Sequence, residues 1–287
     1  METKKISIII PCFNEEATIA EVLNGIPNLP EIYEIIVVDD GSKDKTVACA
    51  KQSAKNPIII SHPYNIGNGA AVKTGAKIAT GDFILLLDGD GQHNSADMVK
   101  LIQGLENYDL IIGARNKKSN VSNFRSIGNF IFNRLASYLA QQKILDLTSG
   151  FRLINREKFL EFYDLYPNQY SYPTTSTLAF IKSGYFVKFI EIETIKKREK
   201  GKSKIKPVSD GMKFINIIVK IIIMFSPMRF FFPVFVFFFL ISISVASYQL
   251  GANHKLSSTS VILFLFSFQI FFIGLVTDQI SYLFKKK

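Results

Sequence analysis

The chain is poor in several residue types, and each shortage excludes something. Its 287 residues include two cysteines, three histidines and no tryptophan. Cys12 and Cys49 alone make no disulfide framework, which suits a reducing compartment. No phosphate loop with the Gly-x-x-x-x-Gly-Lys pattern occurs. Gly67-Asn68-Gly69 lacks the full dinucleotide fingerprint and does not follow the first strand, so it reads as a tight loop opening a helix. Met1–Lys5 runs straight into a strand and has no signal-peptide layout. Acidic residues are scarce in the last third. Residues 1–195 carry 20 Lys+Arg and 21 Asp+Glu, whereas residues 196–287 carry 14 and 3. The formal net charge of +10 therefore belongs to the end of the chain, which is also its most apolar part. Basic clusters beside apolar runs point to an anionic membrane face. They argue against nucleic acid, the other common partner of a basic chain.

Short β-branched runs at Ile6–Ile10, Ile35–Val38, Ile58–Ile60 and Phe83–Leu87 read as strands covered on both faces. Helical stretches lie between them, at about Ala17–Gly25, Lys45–Ala54 and Asn68–Ala79. This alternation predicts an α/β fold with a parallel sheet and right-handed crossovers. A helix near Ala96–Glu106 leads to a fifth strand at Leu110–Gly113. Helices at Phe124–Gln141, Arg156–Tyr163 and Thr174–Lys182 and a strand at Phe186–Glu193 complete the expected domain, residues 1–206.

Its last stretch, Lys196–Lys206, is dense in positive charge. Residues 207–228 carry apolar positions at Met212, Ile215, Ile218, Val219 and Ile222, the pattern of an amphipathic helix lying in a membrane interface. Residues 229–287 form the third expected unit, a two-helix transmembrane hairpin. Phe230–Leu250 is uncharged and long enough to span a hydrocarbon core of ~30 Å. Leu256–Phe284 holds the second span. Lysines and arginines flank the pair while the intervening turn carries only Lys255, so both termini are expected in the cytoplasm. The second span contains Gln269 and Asp278. Asp278 lies near the cytoplasmic interface, and Gln269 is suited to bonding between helices, which suggests a homo-oligomer.

The most informative stretch is Asp88-Gly89-Asp90-Gly91-Gln92-His93, directly after Phe83–Leu87. Carboxylates one residue apart point the same way on extended backbone. They stand at a strand's C-terminal end, where open α/β sheets bind ligands. Gly89 and Gly91 let a ligand approach the backbone. Such a pair suits a hard divalent cation carrying a diphosphate, Mg²⁺ or Mn²⁺; alone it also fits a plain polar turn. Pro11-Cys12-Phe13-Asn14-Glu15-Glu16 and Asp39-Asp40-Gly41-Ser42 end the first two strands on the same edge. An acidic residue there fits a ribose hydroxyl or a base edge, or a helix cap.

Together with Gly113-Ala114-Arg115, Asp146-Leu147-Thr148-Ser149-Gly150-Phe151-Arg152 and the Arg198…Gly201-Lys202-Ser203-Lys204 segment, these motifs resemble the family 2 glycosyltransferases of GT-A fold. The likeness is strongest to the dolichol-phosphate mannose synthase branch and its bacterial polyprenyl-phosphate relatives. It implies a nucleotide border made by Pro11, Phe13, Glu15, Val38 and Asp40. Asp88, Asp90 and Gln92 would hold the metal, with Gly89 against the ligand. Arg115 would contact the nucleotide or phosphates, and Arg125, Ser149, Arg198 and Lys204 would face donor or acceptor phosphates. Asp90, Arg125 and Asp146 become the catalytic candidates.

The implied reaction moves one sugar from a UDP- or GDP-linked donor to a polyprenyl phosphate, undecaprenyl or dolichyl, at the cytoplasmic membrane. An anionic acceptor needs little help from a general base but does need cations, and guanidinium forks suit phosphate. Processive polysaccharide synthases resemble this fold but carry a Gln-x-x-Arg-Trp element that a chain without tryptophan cannot supply. One departure favours a different alternative, a non-catalytic nucleotide-sugar-binding scaffold. Many relatives place a carboxylate where this chain reads Tyr172-Pro173-Thr174-Thr175-Ser176-Thr177.

Overall fold

The computed structural model describes residues 4–115, 133–134, 136–138, 140–169, 171–192, 216, 219–220 and 222–285. The chain divides into two compact units, residues 1–215 and 216–287.

The first unit is built on seven strands: β1 (Ile6–Cys12), β2 (Ile32–Asp39), β3 (Ile58–Ser61), β4 (Phe83–Leu86), β5 (Leu110–Arg115), β6 (Arg152–Asn155) and β7 (Val187–Ile192). They lie side by side in the order β3-β2-β1-β4-β6-β5-β7. Every pairing is parallel except those of β6, which runs antiparallel to both β4 and β5. The sequence pattern did not yield β6. It is four residues long and begins with an arginine, so it has neither the length nor the apolar run of its neighbours. The sheet is thus mostly parallel, with one reversed strand wedged beside β4.

Among the described residues the sheet is covered by α1 (Ile19–Asn24), α2 (Thr46–Lys51), α3 (Asn68–Ile78), α4 (Ser95–Gln103), α5 (Arg156–Glu161) and α6 (Tyr172–Lys182). Side-chain alternation along β1 shows how both faces are used. Ile8 and Ile10 point to one core, with Ile19 and Leu23 of α1 and Leu101 of α4. Ile9 points to the other, with Val72 of α3, Phe159 of α5 and Phe180 of α6. A continuous isoleucine run is therefore buried throughout, and each such side chain contributes roughly 1.5–3 kcal/mol.

Helix α3 fixes the position of one wall of the site. A Cβ at Gly69 would lie 2.1 Å from the Pro167 carbonyl oxygen and 2.7 Å from that of Gln169. The chain before α6 thus closes over the start of α3, and the Ala70 N–H donates to the Asn168 carbonyl at 3.0 Å.

The second unit contains α7 (Met228–Asn253) and α8 (Ser258–Lys285). Phenylalanines pack between them: the Phe235 ring lies 5.6 Å from that of Phe268 and 5.2 Å from that of Phe271. Within them, Met228–Ala252 and Ser258–Leu283 have mean hydropathies of 2.4 and 2.3. At 1.5 Å per residue each helix is ~40 Å long, enough to cross a bilayer. Only 6% and 17% of their most apolar windows are buried, so neither is the core helix of a soluble fold. The expected helix at 124–141 and interfacial helix at 207–228 lie largely outside the described residues, and the basic stretch 196–206 lies wholly outside them.

Gly69→Ala should cost about 1–3 kcal/mol, because the new methyl meets backbone that cannot yield. Thermal unfolding of the full chain in detergent should show a midpoint lowered by roughly 2–12 °C. Gly251→Ala, with nothing within 4 Å of the added carbon, should leave it unchanged.

Candidate active site

The site lies where β1, β2, β3 and β4 end. Their parallel register is explicit: Cys12 pairs with Asp39, and Asp39 with Ser61. Backbone bonds continue past the strands, from Asp40 N–H to Cys12 O at 2.8 Å, His62 N–H to Asp39 O at 2.8 Å and Leu87 N–H to Ile9 O at 3.0 Å. A cavity of about 620 Å³ opens at this edge, lined by Phe13, Asp39, Ser42, Lys43, His62 and Tyr64 among others. That volume is in the range of small-molecule sites.

The two aspartates that end β2 have different places. Asp39 lines the cavity, and its carboxylate also takes the Ser42 N–H at 3.2 Å. Asp40 is buried beneath the next loop. Its carboxylate accepts from Ile66 N–H at 2.9 Å and Gly67 N–H at 2.8 Å, and pairs with His62 Nδ1 at 2.8 Å. Asp40 therefore holds the loop that leads into α3. Pro11 lies within β1, and Val38 is fully buried in the core. Glu15 stands in the turn after β1, where its N–H donates to Thr46 Oγ1 at 2.8 Å. Sequence reasoning did not single out Lys43, His62 or Tyr64. The signal was there, because β3 is a third parallel strand ending on the same edge, but its short run carries no acidic motif.

The carboxylate loop follows β4. The Gly89 carbonyl accepts from Thr18 Oγ1 at 2.8 Å, which ties the loop to the start of α1. Asp90 Oδ1 accepts from Gln92 N–H at 3.2 Å. A Cβ at Gly150 would lie 3.0 Å from Asp88 Oδ2, so glycine is what admits this carboxylate. The His93 ring stacks on Phe151 with centroids 4.5 Å apart. Asp88 has its carboxyl pKa raised, chiefly by burial and also by the charge of Glu15, against a lowering from an Asn68 hydrogen bond and from Arg115 and Arg152.

Arg115, at the end of β5, grips Asp146 in a two-pronged pair. Nε lies 2.7 Å from Oδ2 and Nη2 2.9 Å from Oδ1. Thr148 N–H adds a bond to Oδ1 at 3.1 Å, and the Arg115 N–H one to Oδ2 at 3.3 Å. Burial alone would raise the Asp146 pKa, but these bonds and the Arg115 charge outweigh it and hold the carboxyl below its ordinary value. A carboxylate so held is a weak proton acceptor. Ser149 is buried at the turn that follows. Arg125, Arg198 and Lys204 lie outside the described residues.

The donor set suits a divalent cation. Among the described residues no group of three or more His, Cys, Asp or Glu is placed to hold a metal by itself, and Asp88 has no ion pair with any of them. Two carboxylates and the Gln92 amide are hard oxygen donors and leave the remaining positions to phosphate or water, as Mg²⁺ sites do.

Residues 7–162 match Glycosyl transferase family 2. The chain belongs to that family. Residues 226–283 match the GtrB C-terminal hairpin, which covers both apolar helices. Over 202 residues the glycosyltransferase is 34% identical to the uncharacterised protein MJ1222 of Methanocaldococcus jannaschii, an alignment covering 67% of this chain and 82% of that one. It is 32% identical over 219 residues to a dolichol-phosphate mannosyltransferase of Pyrococcus furiosus, covering 70% and 59%. Among solved structures, glucosyl-3-phosphoglycerate synthase of Mycobacterium tuberculosis, crystallised with Mn²⁺, UDP and phosphoglyceric acid, shares the fold. The TM-score is 0.60 at 20% identity, over 76% of this chain and 78% of that one.

The Arg115–Asp146 pair gives a pH test. A depressed carboxyl pKa contributes stability above the ordinary aspartate value, and that contribution is lost as pH falls through the folded-state value. Asp146→Asn should therefore be less stable than wild type at neutral pH. The gap, read by thermal unfolding, should narrow below about pH 4. A gap independent of pH would contradict the pairing.

Proposed function

We propose that this glycosyltransferase moves a single sugar from a UDP- or GDP-linked donor to a polyprenyl phosphate at the cytoplasmic membrane face. The observation that carries the reading is the open cavity on the same sheet edge from which the Asp88–Gln92 loop leaves, in a chain that carries two helices of membrane-spanning length. The names of relatives support the acceptor: dolichol-phosphate mannosyltransferase and dolichyl-phosphate beta-glucosyltransferase in several organisms. The base would enter the cavity, with Asp39 offering a carboxylate to its polar edge and Phe13 and Tyr64 offering apolar surface.

Asp88, Asp90 and Gln92 would hold Mg²⁺ or Mn²⁺. Such an ion supplies charge neutralisation of the departing nucleoside diphosphate. Glu15 and Asp88 bring negative charge to this edge, while Arg115 fixes the Asp146 loop and keeps a guanidinium close by. No side chain needs to take a proton, because the acceptor phosphate is already anionic. The fully bonded state of Asp146 agrees with that.

Incubation of the intact protein with a panel of UDP- and GDP-sugars, labelled in the sugar, and a polyprenyl phosphate should yield one labelled lipid. Chelation should abolish the product, and Asp90→Ala should lower the rate by roughly 100-fold or more. No product from any donor, or an Asp90→Ala variant as fast as wild type, would sink the reading.

We extend the proposal to a homo-oligomer formed through α8. Gln269 is exposed on that helix, beside a groove of about 540 Å³ formed with Leu265, Phe268, Phe272, Ile273 and Val276. An amide facing hydrocarbon is costly, and a second copy of the same amide both donates and accepts. Gln269→Leu should weaken self-association in nanodiscs by about 3–30-fold, corresponding to ~0.6–2 kcal/mol. Unchanged crosslinking would refute the contact.

A further inference from the structure

Arg152 opens β6, and its side chain is fully buried. Among the described residues it has no carboxylate within ion-pair distance; its partners are neutral. Nε donates to the Ser149 carbonyl at 3.0 Å, and Nη2 donates to the same oxygen. Nη1 donates to the Pro173 carbonyl at 3.0 Å, to Ser176 Oγ at 2.8 Å and to Thr177 Oγ1 at 3.2 Å. Burial pushes the guanidinium pKa down to about 10, so the group stays charged at neutral pH. A buried cation without a close counter-ion is costly. The fold nonetheless keeps one here and spends its donors on two segments more than twenty residues apart in sequence.

Those segments are not arbitrary. Residues 149–151 form the wall facing the carboxylate loop. Gly150 lies against Asp88, and Phe151 stacks on His93. The opposite segment is the first turn of α6, whose residues 172–177 are all buried. A single guanidinium thus fastens the wall behind Asp88 to a rigid helix.

We propose that Arg152 is a positioning residue for sugar transfer: by clamping Ser149 to the first turn of α6 it sets the 149–151 wall against the Asp88–His93 loop. Its charge also favours the carboxylates of Asp88 and Asp146 from behind the wall. The catalytic consequence rests on the transfer reaction proposed above; the clamp itself does not.

Two full-length variants test it in detergent or nanodiscs. Arg152→Lys keeps the charge but lacks the planar fork needed to reach both segments. The pair Ser176→Ala with Thr177→Val keeps the guanidinium and removes acceptors at the helix end. In both, amide hydrogen exchange at 146–151 and 172–177 should rise by about tenfold, as expected when buried hydrogen bonds are lost, while β1 to β4 keep wild-type protection. The kcat for transfer should fall roughly 10–100-fold through misplacement of the wall, with the donor KM changed by less than about twofold. Unchanged exchange in both variants, raised exchange with unchanged kcat, or loss of protection across the whole sheet would each overturn the proposal. A wild-type chain that turns over no donor would sink the function proposed above and not the clamp, whose exchange signature is read without substrate.

Discussion

Everything in the candidate site depends on β1, β2, β3 and β4 running parallel and in register. Because Cys12 sits opposite Asp39 and Asp39 opposite Ser61, three chain segments leave the sheet at one level and fan outward together. Parallel strands cannot be joined by tight hairpins; each connection must cross a face of the sheet, and here it does so as a helix. The crossovers bury both sides of β1 and leave only the carboxyl edge for chemistry. Apolar packing therefore brings Asp39, Phe13 and Asp88 to one edge of the sheet.

This constraint also explains what was legible in the sequence. Runs such as Ile6–Ile10 and Phe83–Leu87 read as buried parallel strands, because they are short, almost wholly apolar and alternate with helical stretches. The acidic motifs that follow them are then forced onto one edge, so the carboxylate loop and the Asp39-Asp40 turn could be paired from the sequence alone. Which aspartate faces the cavity could not. Alternation along a strand assigns opposite sides to neighbours, but the loop that Asp40 holds, through the N–H groups of Ile66 and Gly67, comes from a different part of the chain. β6 was illegible for another reason: its identity as a strand comes from fitting between β4 and β5, not from its own four residues.

Two arginines near the carboxylate loop show how burial assigns tasks to similar groups. Arg115 meets Asp146 with matched forks, so each charge cancels the other, and Asp146 loses its value as a base. Among the described residues Arg152 meets carbonyls, hydroxyls and the face of the Tyr172 ring but no close carboxylate, and its charge is left to act over distance. The sequence places both arginines at the ends of motifs, Gly113-Ala114-Arg115 and Asp146–Arg152, without showing their partners; the antiparallel turn into β6 brings the second under the first turn of α6. The neutral residues Ser176 and Thr177 then acquire a purpose, since a carboxylate in their place would neutralise Arg152 and pull it toward the helix.

The second unit follows a different rule. In the sheet domain, stability comes from withdrawing apolar surface from water, and the two cores lie within the chain. In α7 and α8 most apolar side chains remain outside the hairpin: Phe237, Leu240, Phe272 and Leu283 are all exposed. Their burial requires hydrocarbon. Inside a bilayer those side chains gain nothing further from packing together, so helix contacts rest on close fit and on polar groups. The fit is visible where Gly274 meets Phe231, a Cβ there falling 2.8 Å from the phenylalanine Cβ. Ser242, Ser244, Ser260 and Ser267 bond back to their own helix or its approach, whereas Ser281 donates to the Met224 carbonyl. Gln269 is exposed on α8 beside a groove, and a second copy of the same amide would both donate and accept there, which is why the proposed contact between copies is placed at this residue.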